Sequence, residues 1–163
     1  MMDRDYRFVL VRTINPTLKS KVMFIGVNPS TADANEDDQT TTKLIEFTRR
    51  WGFGKYVLMN LFPYRATDYR ELEKYYNYPV HWRKNHQDLR KNIRQSDLIV
   101  PMWGRRKKVP QHLRVEARVV KNLINKETKD KKMVKCFGLT KCGEPKHPLM
   151  LGYDTPLLTI KSL

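Results

Sequence analysis

The stretch KVMFIGVNPSTADANEDDQTT, residues 21–41, joins an apolar run to a tight turn and then to a cluster of acids. Residues 22–26 form a short run with β-branched and aromatic side chains, which is typical of a buried strand. Four carboxylates follow the Gly-Val-Asn-Pro turn in a chain whose formal net charge is +15. We therefore interpret this turn as a candidate site and the strand before it as the start of an alternating fold.

The rest of the chain alternates predicted strands with predicted helices. Strands are predicted at 6–14, 22–26, 56–63, 98–104 and 132–139. Helices are predicted from Thr40 or Thr41 to Gly52, over 67–76, over about 80–95 and from Pro110 onward. This alternation predicts an α/β fold, a three-layer α/β/α sandwich with a central, mostly parallel sheet. Residues 1–163 are expected to form a single domain.

Composition narrows the class of protein. No stretch approaches the roughly 18 consecutive apolar residues of a membrane helix, and the N-terminus lacks an apolar signal segment, so a cytoplasmic protein without membrane contact is expected. Cys136 and Cys142 lack CxxC spacing, so we expect no thiolate metal site.

The excess of 32 Lys and Arg over 17 Asp and Glu indicates a polyanionic partner. DNA, double- or single-stranded, is the expected partner, with RNA left open, and a monomer is the simplest expectation. A generally basic, soluble enzyme is the alternative. The positive charge is spread along the chain, which favours a folded basic surface over a basic tail.

Polar residues lie where the predicted strands end. Asn28 and Pro29 follow one strand, Asn60 ends another, and Trp103 precedes the Gly turn of a third. His147 lies in the polar loop after the last of these strands. Binding sites in such sheets lie beyond the carboxyl ends of the strands, and a polar residue such as Asn60 is costly in an apolar strand unless it is paired.

These motifs resemble those of a known family. GVNP, LMNL, MWG and KHPL resemble, in the same chain order, the motifs of the uracil-DNA glycosylase superfamily. The signature NPSTAD, WGF, NLFPYRATD and HPL is similar to a bacterial and phage branch of that fold known only as a domain of unknown function, over about residues 6–157. The resemblance implies a glycosylase-like fold and cofactor-free hydrolysis of the bond between a base and its deoxyribose.

The resemblance also implies roles for individual residues. Asn28 would orient the attacking water, His147 would donate to the base oxygen that gains charge, and Asn60 would read the pyrimidine edge through its donor and acceptor. Asp38 and Asp33 rank first among the acids that would activate water or stabilise the sugar. Alternatively, these acids cap the helix that follows them.

The turn after GVNP departs from the uracil-specific members of that superfamily, which place a blocking Tyr and a stacking Phe there. This chain has Ser30, Thr31 and Ala32 instead, which leaves room for a base enlarged at C5, such as a hydroxymethylated or glucosylated pyrimidine. The predicted base contacts, in addition to Asn60, are Pro29, Ser30, Phe62, Tyr64 and Trp103.

A glycosylase that acts on a base in a helix also needs a wedge and phosphate contacts. Leu149 and Met150 are predicted as wedge residues, or alternatively as the buried start of a final strand. The predicted cationic DNA contacts, or alternatively parts of solvated turns, are Arg65, Arg105, Arg106, Lys107, Lys108 and Lys146.

The expected function is that of a monofunctional DNA glycosylase that releases a pyrimidine-derived base, enlarged at C5 in the favoured hypothesis, and leaves an abasic site. Restriction of phages with modified DNA would follow from such an activity. The alternatives are a repair glycosylase for uracil or damaged bases, a non-catalytic nucleic-acid-binding module on the same fold, and an enzyme acting on free nucleosides or nucleotides.

Overall fold

The computed structural model describes residues 3–29, 38–128, 133–160 and 163. Its strands are β1 Leu10–Thr13, β2 Lys21–Gly26, β3 Lys55–Asn60, β4 Leu98–Pro101, β5 Lys135–Cys136 and β6 Leu158–Thr159. Its helices are α1 Gln39–Arg50, α2 Glu73–Tyr76, α3 Pro79–Gln95 and α4 Val115–Glu127.

The central sheet has the strand order β1-β3-β2-β4. β2 runs parallel to β3 and to β4, whereas β1 is antiparallel to β3. A parallel bridge between Ile99 and Val134 places the chain leading into β5 beside β4, and β6 pairs antiparallel with β5. The prediction of a mostly parallel sheet is confirmed.

Side chains of β2 alternate between two separate cores because successive residues of a strand point to opposite faces. Val22 and Phe24 pack on the face covered by α1, together with Leu44. Met23 and Ile25 pack on the other face, in the core that α3 and α4 complete. Helices therefore cover both faces of the sheet, and the predicted α/β class is confirmed.

The predicted ends of several elements differ from those observed. The strands predicted at 56–63 and 98–104 end earlier, at Asn60 and Pro101, although the N–H groups of Leu61, Phe62 and Met102 still donate to carbonyls of residues 25–27. Asp38, rather than Thr40 or Thr41, caps α1. A 3₁₀ turn at Gln111–Leu113 precedes α4, so this helix begins at Val115 and not near Pro110.

Asn85 of α3 ties the helical layer to the carboxyl end of β3. This side chain is fully buried, and its Nδ2 donates to the backbone carbonyls of Asn60 at 3.1 Å and Leu61 at 3.2 Å. Both carbonyls lie where the β3 ladder ends, so the amide supplies donors that the sheet no longer provides.

Replacement of Asn85 by Leu should lower the free energy of unfolding by about 1–3 kcal/mol, because two buried carbonyls lose their donor. Denaturation in urea measures the change. Asn92→Ala is a matched control on the same helix, since Asn92 Nδ2 donates only locally, to the Asp88 carbonyl. Equal losses in the two variants would contradict a special role for Asn85.

Candidate functional site

A cleft of about 890 Å³ lies at the carboxyl ends of β2, β3 and β4. This is the edge at which parallel sheets bind ligands, and the volume lies within the usual range for ligand sites, roughly 300–1,000 Å³. The predicted site residues that the structure brings together in its wall are Asn28, Pro29, Asp38, Asn60, Trp103, Arg105, Lys108, Lys146, His147, Leu149 and Met150. Ser30 and Asp33 lie outside the described residues.

Asn28 is held by hydrogen bonds from its amide nitrogen. Nδ2 donates to the Ala66 carbonyl at 2.7 Å and to the Pro29 carbonyl at 3.2 Å. Because both partners are acceptors, they identify which end of the amide is the nitrogen and which is the oxygen. Within the described part of the chain, Oδ1 receives no hydrogen bond. Asn28 therefore offers an acceptor to a water molecule or a ligand in the cleft.

Asn60 presents a nearly buried amide to the same cleft. It is 4% exposed, and its side chain makes no hydrogen bond to another described residue. Gly26 lies opposite it in the β2–β3 register, and a Cβ on Gly26 would lie 2.8 Å from Asn60 Oδ1. Glycine at position 26 thus makes room for the amide, whose donor and acceptor can pair with a ligand in the cleft.

His147 is held as a neutral ring with a defined tautomer. The backbone N–H of Leu149 donates to Nδ1 at 3.1 Å, so the ring proton of the neutral form lies on Nε2. Burial lowers the His147 pKa, the nearby Lys108 lowers it further, and Asp38 opposes both effects. Gly104, with a φ of +70°, packs against the His147 side chain in a conformation that favours glycine. The cleft therefore contains a neutral N–H donor at neutral pH.

Asp38 lies both at the start of α1 and in the cleft. As the N-cap of α1, its Oδ1 accepts the Thr41 N–H at 2.7 Å, so the alternative that an acid caps this helix is confirmed for Asp38. The same carboxylate lines the cleft and lies near enough to Arg7 to raise the pKa of that guanidinium. The other acids of this segment, Glu36 and Asp37, lie outside the described residues.

Trp103 forms a fixed part of the wall. Its indole N–H donates to Glu144 Oε2 at 2.6 Å, and Glu144 is fully buried. Lys121 Nζ lies 3.0 Å and Arg106 Nε 2.7 Å from Glu144 Oε1, so two cations neutralise the buried carboxylate. Arg106, predicted as a DNA contact, thus pairs with Glu144 and does not line the cleft.

Four other predicted contacts also lie outside the cleft wall. Phe62 is fully buried and packs edge-on against Tyr75 with 5.5 Å between ring centroids, on the face covered by α3. Tyr64 packs edge-on against Tyr6 at 5.3 Å. The chain turns toward this face after Asn60, so of the three predicted stacking residues only Trp103 lines the cleft. Lys107 and Arg65, predicted as DNA contacts, also lie outside the cleft wall.

The sequence reasoning missed several residues of the cleft. Arg7 lay within a predicted strand, Tyr69 within a predicted helix, and Met102 within another strand, and nothing in their local pattern marked them as site residues. Lys141 follows the last predicted strand and could have been noticed by that position.

The cleft is strongly positive. Among the described residues, the charged side chains of its wall are Arg7, Arg105, Lys108, Lys141, Lys146 and Asp38.

The loop after His147 carries exposed apolar side chains at the mouth of the cleft. Met150 is 90% exposed, and Leu139 across the cleft is 52% exposed. Lys43 of α1 anchors this loop by donating to the Leu151 carbonyl. Met150 is therefore not the buried start of a strand, since the final strand begins later, at Leu158.

The described residues form neither a metal site of acidic, His or Cys side chains nor a membrane-spanning helix. No group of three or more His, Cys, Asp and Glu comes together there in an arrangement that would hold a metal ion. No helix in that part of the chain is long and apolar enough to cross a membrane. Outside the cleft, His86 contacts the buried Glu116, which also accepts from the Tyr76 hydroxyl at 2.8 Å.

The His147 pKa should lie below its ordinary value of 6.5, so His147 contributes stability above pH 6.5 that is lost as the pH falls. Lys108→Met should raise this pKa by removing a repelling charge, and Asp38→Asn should lower it while keeping a helix cap. NMR titration of the imidazole signals measures both. Lys91→Met is the control, because Lys91 lies near Lys21 at the amino end of β2. Shifts of the same sign in Lys108→Met and Asp38→Asn would contradict this electrostatic arrangement.

Comparison with known proteins identifies a family. No curated protein and no solved structure matches the chain. The family described as Protein of unknown function (DUF1643) matches residues 7–149, a range that contains Asn28, Asn60, Trp103 and His147. This match covers most of the chain, including the three parallel strands and nearly all of the cleft wall. The chain therefore belongs to the DUF1643 family.

Proposed function

We propose that this protein is a monofunctional DNA glycosylase with a fold of the uracil-DNA glycosylase type. It hydrolyses the N-glycosidic bond of a pyrimidine-derived base, enlarged at C5, and leaves an abasic site. The observation that carries the proposal is the convergence of Asn28, Asn60 and His147, from three separate parts of the chain, on one positively charged cleft. The resemblance of the motifs around these residues to that superfamily supports the same conclusion.

His147 and Asn60 act on the leaving base. When the bond between the base and C1′ breaks, the electron pair goes to the base, and negative charge develops on its exocyclic carbonyl oxygen. The Nε2–H of neutral His147 donates a hydrogen bond to this oxygen and stabilises the charge. The Asn60 amide, which makes no hydrogen bond to another described residue, pairs with one donor and one acceptor of the pyrimidine edge.

Asn28 and Asp38 act on the water and the sugar. Asn28 Oδ1 accepts a hydrogen bond from the water that adds to C1′, and this fixes the direction of attack. Asp38 has one oxygen committed to the cap of α1, and its charge stabilises the positive charge that develops on the sugar. The proton released by the water goes to this carboxylate or to solvent.

The size and charge of the cleft favour an enlarged base in a nucleic acid. The volume of about 890 Å³ is near the upper end of the usual range for ligand sites, about 300–1,000 Å³, and exceeds what an unmodified pyrimidine needs. Cationic side chains at the mouth attract phosphates, and exposed Met150 fills the space left by a flipped base. Such an activity suits restriction of phages that carry modified DNA.

A non-catalytic nucleic-acid-binding module is the second candidate. The dominance of cations among the charged residues of the wall favours it, because phosphate contacts alone would produce this charge. The nearly buried amide of Asn60 in the cleft favours the glycosylase, since a protein that binds only phosphates gains nothing from an amide at this depth.

The test is incubation of the protein with single- and double-stranded oligonucleotides that carry uracil, thymine, 5-hydroxymethylcytosine, its glucosylated form or other modified uracils. Treatment with alkali reveals abasic sites, and mass spectrometry identifies the released base. We expect alkali-labile sites on a substrate enlarged at C5. No such site on any substrate, with salt-dependent DNA binding retained, would favour the binding module.

Single-turnover rates on the substrate so identified test the assigned roles. Asn28→Ala and His147→Ala should each lower the rate by about 10²–10³-fold, the usual effect of removing one hydrogen bond to a developing charge or to the nucleophile. His112→Ala and Asn92→Ala are matched controls away from the cleft and should retain the rate. An unchanged rate in both Asn28→Ala and His147→Ala would refute the mechanism.

A further inference from the structure

Two arginines share one face of a short antiparallel pair beside the cleft. Tyr6 and Tyr64 form an antiparallel bridge, Arg7 N–H donates to the Pro63 carbonyl at 2.8 Å, and Arg65 N–H donates to the Asp5 carbonyl at 2.8 Å. Successive side chains of such a pair point to opposite faces. Arg7 and Arg65 therefore lie on the face opposite Tyr6 and Tyr64, as diagonal neighbours within reach of the same small ligand.

The position of the tyrosines identifies which face the arginines occupy. Tyr6 belongs to the core on the α3 side, where its ring lies 4.0 Å from that of His81. The arginines consequently lie on the α1 side, and Arg7 lines the cleft beside Asp38. Ala66, the residue after Arg65, accepts the hydrogen bond from Asn28 at 2.7 Å, so this arginine pair adjoins the residue assigned to the attacking water.

Among the residues that the structure describes, the charges of the pair are incompletely compensated. Burial lowers the Arg7 pKa, and the like charge of Arg65 lowers it further. Arg65 Nε is buried and has no hydrogen-bond partner among the described residues. Asp38 is the one carboxylate that lines the cleft in the described part of the chain, and its Oδ1 already accepts the Thr41 N–H. A buried guanidinium N–H without a partner is costly, and an oxyanion bound between the two arginines would offset the charge of both.

We propose that Arg7 and Arg65 form a phosphate-binding subsite that takes the phosphate next to the nucleotide whose base enters the cleft. This assignment rests on the proposed function for the identity of the ligand. Guanidinium groups bind phosphate oxygens in a bidentate manner, which positions a sugar as well as attracting it. The subsite would therefore place the sugar carbon beside Asn28. The phosphate belongs either to a DNA phosphodiester or to a free nucleotide.

The test measures binding to a short duplex with a tetrahydrofuran abasic analogue at its centre. Two further duplexes carry a neutral methylphosphonate in place of the phosphate on the 5′ or the 3′ side of the analogue. Fluorescence anisotropy at fixed salt gives each Kd. For the wild type, one of the two methylphosphonates should weaken binding about tenfold, the size expected for a lost charged hydrogen bond.

The variants then assign that phosphate to the arginines. Arg7→Gln and Arg65→Gln should weaken binding of the ordinary duplex about tenfold and remove the difference between phosphate and methylphosphonate. Lys91→Gln, which removes an exposed charge near the amino end of β2, should retain that difference. Arg7→Lys and Arg65→Lys keep the charge, so they should bind the ordinary duplex more tightly than the Gln variants and more weakly than the wild type. They test the subsite even if a Gln variant folds poorly.

A second arm distinguishes the two sources of phosphate. Competition by a deoxynucleoside 5′-monophosphate, but not by the deoxynucleoside, with no methylphosphonate effect, would assign the subsite to a free nucleotide. Two results would overturn the subsite. One is that the Gln variants lose equal affinity for the phosphate and the methylphosphonate duplexes, and the other is that neither Gln variant loses affinity. The abasic duplex contains no base to release, so these results stand apart from the excision assay, and failure of excision alone would overturn only the proposed function.

Discussion

The close packing of Asn60 over Gly26 is the constraint on which the cleft depends. Asn60 ends β3 with a polar side chain that is 4% exposed, and the absence of a side chain at Gly26 gives its Oδ1 the space it needs. Asn85 holds the Asn60 backbone carbonyl from below, so α3 fixes the position of the strand end. A parallel register between β2 and β3 then brings the Asn28 turn alongside Asn60. Local packing across two strands thus sets the relative positions of two groups that are distant in sequence.

A second arrangement, centred on Glu144, fixes the opposite wall. Glu144 has no exposed surface; it accepts hydrogen bonds from Trp103, after β4, and from Lys121 of α4, and it forms an ion pair with Arg106 of the turn between them. The desolvation of this carboxylate is offset only while all three partners are in place. The Trp103 ring is consequently held by ionic as well as apolar contacts, and the wall is formed before any ligand binds.

Much of the fold and part of the site could be predicted because the decisive signals are local. Apolar runs marked the strands, and Asn28, Asn60 and Trp103 stood out as polar or turn residues directly at their ends. Arg7 and Glu144 gave no such signal: the bridge that orients Arg7 joins Tyr6 to Tyr64, and the bond from Trp103 to Glu144 spans 41 residues. Phe62 was placed wrongly because spacing alone does not tell which way a chain turns after a strand. The residue that caps α1 could not be predicted, because Asp38, Thr40 and Thr41 are all able to cap a helix and the backbone geometry decides among them.

The hydrogen bond from Leu149 N–H to His147 Nδ1 also limits how the length of this loop can vary. It spans two residues and fixes the tautomer of the ring, so an insertion between the two would free Nδ1 and allow the proton to move to either nitrogen. Met150 lies directly beyond this bond and is 90% exposed. Insertions and deletions after Leu149 should therefore disturb the imidazole less than those between His147 and Leu149, so the mouth of the cleft can change shape among related proteins while the imidazole donor stays constant.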